Sequence, residues 1–260
     1  MDPQLEWAIA NIREAGKIAM KYFRQSFEVN LKSDDSPVTN ADKEIESFLR
    51  EKISVDFADH GILGEEFAEK PGSGQRWVID PIDGTKSFVY GVPLFGILLG
   101  REEGGTPLFG VAHFPALGET YWGSGDGAFL NGARIQVSNK TDLGTSLLLM
   151  GSLKAMDAHG RLDAFTRLAR SAYATRNWGD AYGYCLVARG DAEAMFDPFV
   201  AVWDTCAVAA IVTAAGGSFT DLDGHPGHTH GQALACAPGV LSEIIAAMRA
   251  ANDTGPGNVP

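Results

Sequence analysis

The stretch that decides both the fold and the chemistry is residues 77–88, which read Trp-Val-Ile-Asp-Pro-Ile-Asp-Gly-Thr-Lys-Ser-Phe. Its first three residues are apolar and predict a buried strand, which the pair Asp80-Pro81 interrupts. A second acid, Asp83, follows, and then come a glycine, a threonine, a lysine and a serine. Carboxylates hold hard cations, and backbone amides that open a helix hold anions. A cation site beside an anion site predicts phosphate chemistry assisted by metals.

The same residues have a simpler interpretation as a turn. Asp-Pro and Asp-Gly are turn dipeptides, and taken alone they favour a plain bend over a metal site. Two observations favour the metal site. Pro81 fixes its own φ angle, so the carboxylates beside it have fixed directions. Further acids also occur at comparable positions elsewhere in the chain.

The length and charge of the chain limit the classes of function. Its 260 residues, 45% of them hydrophobic, suffice for one large globule or two packed subdomains. The formal net charge of −12 argues against a nucleic-acid partner or an anionic membrane surface. An acidic protein with an anionic substrate needs cations between the two, which agrees with residues 77–88.

The cysteines and the N-terminus predict a cytoplasmic protein. Cys185, Cys206 and Cys236 are odd in number and lack metal-ligand spacing, so they are interpreted as reduced packing residues. No secretory signal and no apolar run long enough to span a bilayer is apparent. The loop with His225, His228 and His230 is expected to be exposed, with a zinc site as the alternative.

The first half of the chain predicts helices over a largely antiparallel sheet. Apolar residues at three- and four-residue intervals predict an amphipathic helix over Leu5–Phe23, and a second helix begins near Thr39. Short strands follow. Asn131-Gly132 predicts a type I′ hairpin, and the glycine-rich residues 123–127 predict a turn without P-loop character.

After Val137 strands alternate with helices, which predicts an α/β half with a smaller mixed sheet. We therefore expect an α+β subdomain at residues 1–138 that carries most of the site. An α/β subdomain at residues 139–251 and a flexible tail at residues 252–260 complete the predicted organisation.

Three further acids are candidates for the site, each with a structural alternative. Asp42 is either the N3 carboxylate of a capping box begun by Thr39, which local sequence favours, or a group that orients a catalytic hydroxyl or water. Glu65 belongs to a glutamate pair of a kind that usually lies on the surface, yet here it closes an apolar strand. If that strand neighbours the strand of Asp80, both acids reach one sheet edge. Asp204 either completes the site or satisfies a helix dipole.

Four separated motifs resemble the inositol monophosphatase family of magnesium-dependent, lithium-sensitive phosphatases. In chain order they are Val38–Asp42, Gly64–Glu66, Trp77–Phe88, and Trp203-Asp204 with its helix up to Gly216-Gly217. The resemblance covers residues 8–250 and implies a layered αβαβα sugar-phosphatase-like fold. It also suggests a homodimer.

The resemblance implies two to three Mg²⁺ ions and a set of ligands for them. Glu65, Asp80 and the carbonyl group of Ile82 would hold the first ion. Asp80, Asp83 and Asp204 would hold the second, and Glu65 would help to hold a third. The carboxylates Glu65 and Asp83 therefore count among the catalytic residues.

The resemblance also implies direct attack by a water that the metals activate. Thr85, hydrogen-bonded to Asp42, would orient that water and help to deprotonate it, so both are expected to be catalytic. The amides of Gly84 and Thr85 would cradle the phosphate, with Lys86 beside them.

The second half bears on the substrate. Residues 176–184 depart from the Gly-(Ser/Thr)-Ala-Ala pattern of inositol phosphatases and, with Thr85–Phe88, are similar to the histidinol-phosphate phosphatase branch. L-histidinol phosphate carries an ammonium and an imidazole, which carboxylates can pair with. Arg176, Asp180 and Asp197 are the candidate substrate residues. Asp180 is equally explained as a helix N-terminal acid, and Asp197 as part of a turn.

The sequence therefore predicts a Mg²⁺-dependent phosphoric monoester hydrolase of histidine biosynthesis, acting on L-histidinol phosphate. The alternative is an inositol-1-phosphate or broad sugar-phosphate phosphatase. A third possibility, a non-catalytic homologue that binds phosphorylated ligands, is disfavoured because every implied ligand and the implied hydroxyl are present.

Overall fold

The computed structural model describes residues 2–25, 29–31 and 37–249, and for residues 29–31 and 37–39 it describes the backbone alone. The predicted flexible tail at residues 252–260 lies outside the described residues. The side chain of Thr39 does too, so its predicted capping role stays a prediction.

Eight helices are assigned within the described residues. They are α1 Pro3–Tyr22, α2 Asn40–Asp56, α3 Thr85–Val89, α4 Leu153–Ala158, α5 Leu162–Ser171, α6 Asp180–Ala188, α7 Val202–Ala214 and α8 Pro238–Arg249.

Fourteen strands are assigned in the same part of the chain. They are β1 Val29–Leu31, β2 Pro37–Thr39, β3 Gly61–Gly64, β4 Gln75–Asp83, β5 Gly96–Glu103, β6 Thr106–Phe114, β7 Glu119–Ser124, β8 Gly127–Leu130, β9 Ala133–Ile135, β10 Leu147–Met150, β11 Ala174–Arg176, β12 Ala194–Asp197, β13 Ser218–Thr220 and β14 Ala233–Cys236.

The large sheet has seven strands in chain order from β3 to β9. Its neighbours are antiparallel except β3 and β4, which are parallel. Asn131 and Gly132 connect β8 to β9 with φ angles of 49° and 89°. Two positive φ angles are the signature of a type I′ turn, so the predicted hairpin is confirmed. Gly123, predicted to lie in a loop, instead belongs to β7, and the turn is limited to residues 125–126.

The small sheet has five strands in the order β11-β10-β12-β14-β13. The pairs of β10 with β11 and β12 are parallel, and β14 is antiparallel to both β12 and β13. The predicted smaller mixed sheet is therefore confirmed. The short strand β11 and the helix α4 were not predicted from the sequence.

The elements stack in five layers, α-β-α-β-α. Helices α1 and α2 cover one face of the large sheet, and α6 and α7 lie between the two sheets. Helices α4, α5 and α8 cover the far face of the small sheet. This confirms the predicted layered fold. The two sheets lie on either side of residue 138, and the division into subdomains there stays a prediction.

Helix α7 lies unusually close to the large sheet, along three glycines on consecutive strands, Gly100, Gly110 and Gly123. A Cβ atom at Gly110 would lie 2.0 Å from the carbonyl oxygen of Ala207. Cβ atoms at the other two glycines would lie within 2.6 Å of α7 atoms. Real Cβ atoms do not approach other atoms so closely, so only glycine permits this approach. We call these three residues the glycine trough.

No helix in the described part of the chain is both long and apolar enough to cross a bilayer.

Candidate active site

Glu65 and Asp80 meet because β3 and β4 are parallel neighbours. The register pairs Gly64 with Ile79, so the residues that follow them lie side by side. The charge of Glu65 contributes to a raised pKa at Asp80, which is consistent with this proximity. The prediction that both acids reach one sheet edge is confirmed.

A bulge turns Asp80 and Asp83 toward the same side of the sheet. Asp80 pairs with Leu98 and Asp83 with Gly96, so three steps on β4 match two on β5. Residues three apart in a regular strand point to opposite faces, and the extra residue reverses that parity. Pro81 lies within the bulge, where the ladder does not need its missing amide hydrogen.

Asp83 joins the two halves of the molecule. Its Oδ2 accepts a hydrogen bond of 2.7 Å from the amide of Ala181, in the first turn of α6. The next residue, Gly84, has a φ of 74° and is the residue from which α3 begins. A Cβ atom there would lie 3.0 Å from Oδ2 of Asp180, so the turn is both left-handed and closely covered.

Asp204 reaches the cluster from the N-terminal turn of α7. Its Oδ2 accepts a hydrogen bond of 2.8 Å from the amide of Ala201, which fixes the carboxylate at the helix start. Carboxylate oxygens of Asp80, Asp83 and Asp204 lie within 4.8 Å of one another. A strand of the large sheet and the helix α7 therefore bring three acids to one point, and we call them the carboxylate cluster.

The surroundings of these three acids raise their pKa values and so disfavour their negatively charged forms. Burial, followed by the charges of Glu65 and Asp83, raises the pKa of Asp80 well above its usual value. Burial and the charge of Asp180 raise the pKa of Asp83 in the same direction. Burial raises the pKa of Asp204 to about 7, although the hydrogen bond from Ala201 opposes the shift. Acids that are held together at this expense are typical of functional sites.

The residues present fit divalent metal ions. Oδ1 of Asp80 is buried, and among the described residues it has no hydrogen-bond partner. The ligand atoms are all oxygens, which suits hard cations such as Mg²⁺. A cation at this point would offset both the burial and the mutual repulsion that raise the three pKa values.

Asp42 and Thr85 lie near the carboxylate cluster. Asp42 is 1% exposed at the start of α2, and its charge contributes to the raised pKa of Asp80. The Thr85 hydroxyl donates a hydrogen bond of 3.0 Å to the carbonyl oxygen of Ile82. The predicted hydrogen bond between Thr85 and Asp42 therefore stays a prediction, as does the metal-binding role of the Ile82 carbonyl.

Asp180 and Asp197 lie at the border of the carboxylate cluster. Asp197 ends β12, and its Oδ2 accepts a hydrogen bond of 2.8 Å from the Tyr184 hydroxyl. Burial raises the pKa of Asp197, the bond from Tyr184 lowers it, and the charges of Asp180 and Asp204 raise it further. Loss of surrounding water raises the pKa of Asp180, and the charge of exposed Lys86 lowers it.

Arg176 is not brought into the cluster. It is exposed at the end of β11, donates to the carbonyl oxygen of Thr175, and lies 5.9 Å from the Trp178 ring centroid. In the described part of the chain it forms no ion pair with a carboxylate. Its substrate role stays a prediction.

Glu46, which the sequence pattern did not single out, supports the turn that carries Glu65. Glu46 is fully buried, and its carboxylate accepts hydrogen bonds of 2.7 Å each from the amide of Glu66 and from Nε of Arg50. A Cβ atom at Gly64 would lie 2.1 Å from Glu46 Oε1, so the carboxylate lies directly against the backbone there. The available signal was the spacing, because Glu46 follows Asp42 by one helical turn.

The prediction that the histidine loop is exposed is wrong for His228. It is confirmed for the side chains of His225 and His230. His228 is 3% exposed, and its Nε2 lies 3.0 Å from Oε2 of Glu102. Cys206 is buried as predicted, but its Sγ lies 3.9 Å from the same oxygen. No sequence pattern connects the three residues, because they are far apart along the chain.

Residues 1–253 match the sequence model of the inositol monophosphatase family. A protein of Chlorobaculum parvum named histidinol-phosphatase is 41% identical over 95% of this chain and 97% of its own length. A histidinol-phosphatase of Streptomyces coelicolor is 37% identical over 94% and 95% of the two chains. The solved structure of a Thermotoga maritima IMPase is 30% identical and superposes with a TM-score of 0.88 over 97% and 99% of the two chains.

Proposed function

The chain belongs to the inositol monophosphatase family, and on that premise we propose that it is a Mg²⁺-dependent phosphatase that hydrolyses L-histidinol phosphate to L-histidinol and phosphate. The observation that carries the proposal is the convergence of carboxylates from both halves of the chain, around Asp80, Asp83 and Asp204. A phosphate dianion cannot approach such a cluster unless cations lie between them.

The metal ions would be held as follows. Glu65, Asp80 and the Ile82 carbonyl are the proposed ligands of one Mg²⁺, and Asp80, Asp83 and Asp204 those of a second, with Glu65 contributing to a third. When bound, such ions neutralise the phosphate, lower the pKa of an attacking water and stabilise the leaving oxygen.

The remaining residues orient and move a proton. Thr85 Oγ1 is the proposed acceptor of the proton of the attacking water, and it would pass its own hydroxyl proton to the Asp42 carboxylate. For this step the hydroxyl would turn from the Ile82 carbonyl, to which it now donates, toward Asp42. The amides at the start of α3, those of Gly84 and Thr85, hold the phosphate oxygens, and Lys86 adds a positive charge beside them.

The substrate assignment rests on the positively charged part of L-histidinol phosphate, which is separate from its phosphate group. Asp180 and Asp197 lie beside the metal-site acids, and burial raises the pKa of each. A cationic substrate group compensates these carboxylates, whereas the hydroxyls of an inositol ring do not. Both named relatives with this activity match nearly the whole chain. Arg176 stays a further substrate-binding prediction.

A panel of phosphate esters tests the proposal. We expect kcat/KM for L-histidinol phosphate to exceed that for inositol 1-phosphate by about 100-fold, equivalent to two charge-assisted contacts. Removal of Mg²⁺ with a chelator should abolish hydrolysis of both. Asp197→Asn should lower kcat/KM for L-histidinol phosphate and leave that for inositol 1-phosphate unchanged. A preference of the wild-type protein for inositol 1-phosphate would overturn the substrate assignment.

The alternative function is that of an inositol-1-phosphate or broad sugar-phosphate phosphatase. It is favoured by the likeness to the Thermotoga maritima IMPase. The panel decides between the two. A homodimeric state and a cytoplasmic location belong to the proposal and stay predictions.

A further inference from the structure

A second group of metal-ligating side chains lies outside the carboxylate cluster. Glu102 comes from β5, Cys206 from α7 and His228 from the loop after β13, and all three are buried. Their ligand atoms, a carboxylate oxygen, a thiol sulfur and an imidazole nitrogen, lie within 4.8 Å of one another. We call this group the Glu-Cys-His cluster. The proposed hydrolysis uses none of its members.

The distances in the cluster approach those of a tetrahedral transition-metal site. Metal bonds of about 2.0–2.3 Å to nitrogen, oxygen and sulfur place neighbouring ligand atoms about 3.3–3.6 Å apart in tetrahedral geometry. Oε2 of Glu102 lies 3.0 Å from Nε2 of His228 and 3.9 Å from Sγ of Cys206. Shifts of a few tenths of an ångström in these two distances would match them to the geometry.

The surroundings hold the ligands in place. Nε and Nη2 of Arg76 both donate to Oε1 of Glu102, at 3.0 and 2.6 Å, which leaves Oε2 facing His228 and Cys206. The Thr205 hydroxyl donates a hydrogen bond of 2.8 Å to the carbonyl oxygen of His228. Supporting contacts of this kind orient the ligands of metal sites.

One member of the cluster lies beside a surface groove. His228 lines a groove of about 840 Å³, which runs along α7 past Ala210 and Phe219. A metal ion needs such an entry path, and three protein ligands leave a fourth position for water. The mixture of sulfur, nitrogen and oxygen favours Zn²⁺-like ions over Mg²⁺, which prefers oxygen ligands alone.

We propose that Glu102, Cys206 and His228 form a second metal site, which binds one Zn²⁺-like divalent transition-metal ion per chain. The ion is bound by Oε2 of Glu102, the thiolate of Cys206 and Nε2 of His228, and the thiol proton is released to solvent on binding. The site ties α7 to β5 and to the loop after β13. It shares no ligand with the carboxylate cluster.

Titration of the metal-free protein with Co²⁺ tests the proposal, because a thiolate ligand gives a sulfur-to-cobalt charge-transfer band and the carboxylate cluster contains no sulfur. We expect the band to saturate at one equivalent and Zn²⁺ to abolish it. Cys206→Ala should remove the band, whereas Cys185→Ala and Cys236→Ala, which replace the other two buried cysteines, should retain it. A wild-type protein without the band, or a band that persists in Cys206→Ala, would overturn the proposal.

A second measurement covers the case in which Cys206→Ala does not fold. In excess Mg²⁺, which occupies the carboxylate cluster, one equivalent of Zn²⁺ should raise the Tm of the wild-type protein by several degrees. The conservative variant His228→Asn should lose that rise. An unchanged wild-type Tm refutes the site, whatever the activity of the protein toward phosphate esters.

Discussion

The carboxylate cluster and the Glu-Cys-His cluster each include one residue of α7, two positions apart, and their electrostatics are opposite. Asp204 belongs to the carboxylate cluster, where like charges meet and the pKa values of the acids are raised. Cys206 belongs to the Glu-Cys-His cluster, where the hydrogen bond with His228, followed by Arg76, lowers the pKa of Glu102 against the opposing effect of burial. The first cluster is destabilised until cations arrive, and the second is balanced without them. The carboxylate cluster therefore concentrates electrostatic repulsion at the point where cations and a phosphate are proposed to bind.

The largest effect is expected from a substitution in the carboxylate cluster. Asp83→Asn should lower kcat by about 1,000-fold or more, because a charge that holds the metals is lost. The same change should raise the Tm of the metal-free protein, since it removes one of several crowded negative charges. The asparagine oxygen can still accept the hydrogen bond from Ala181. Steady-state kinetics and thermal unfolding in a chelator measure the two effects.

Asp126→Asn is the control for that variant, because Asp126 is an exposed acid in the turn before β8. It should change neither kcat nor Tm. Undiminished hydrolysis by Asp83→Asn would remove Asp83 from the proposed ligands.

Removal of the acid from the Glu-Cys-His cluster should lower the stability of the metal-free protein, whereas Asp83→Asn should raise it. Glu102→Ala should lower the free energy of unfolding by about 3 kcal/mol or more, because it leaves Arg76 and His228 without their buried partner. Urea unfolding in a chelator measures this. Glu103→Ala, at the exposed neighbouring position, should change stability by no more than about 0.5 kcal/mol. Equal losses in the two variants would show that the buried network contributes nothing.

A smaller effect tests the support beneath Glu65. Glu46→Gln weakens the hydrogen bonds to the amide of Glu66 and to Arg50, so the turn that carries Glu65 is held less firmly. We expect the Mg²⁺ concentration for half-maximal activity to rise about 10- to 100-fold, with kcat at saturating Mg²⁺ nearly unchanged. Glu51→Gln, exposed on the same helix, is the control. A fall in kcat with no change in Mg²⁺ dependence would contradict this positioning role.

The smallest effect concerns pH. The pKa of Asp204 is about 7 in the folded protein, above its ordinary value, and those of Asp80 and Asp83 are raised in the same direction. The folded state therefore binds more protons than the unfolded state between about pH 4 and 7. The Tm of the metal-free protein should rise as pH falls from about 8 to 6. Saturating Mg²⁺ should reverse this trend, because protons then compete with the metal. A metal-free Tm that falls over this range would contradict the raised pKa values.

Local signals were sufficient for much of the fold and for the composition of the carboxylate cluster. The apolar residues before Asp80 predicted β4, and the Asn131-Gly132 pair predicted the hairpin of β8 and β9. These signals act within a few residues, so a sequence pattern contains them.

Long-range geometry was not readable in the same way. The bulge at Pro81 depends on the pairing with β5, and the amide of Ala181 reaches Asp83 from the other half of the chain. His228 looked exposed because glycine, proline and histidine typically mark surface loops, and its buried partner Glu102 is 126 residues away. Three-residue strands such as β11 carry too little pattern to be recognised.

The glycine trough has a consequence for variation in this protein. Because Gly100, Gly110 and Gly123 let α7 rest against the sheet, the sheet surface sets the height of the helix and hence the distance of Asp204 from Asp80. Replacement by alanine at any of the three would lift the helix and spread the ligands, although none of these glycines touches an ion or a substrate. Substitutions that impair catalysis would therefore also occur at these three strand positions. A survey restricted to residues that contact the metal ions or the substrate would overlook them.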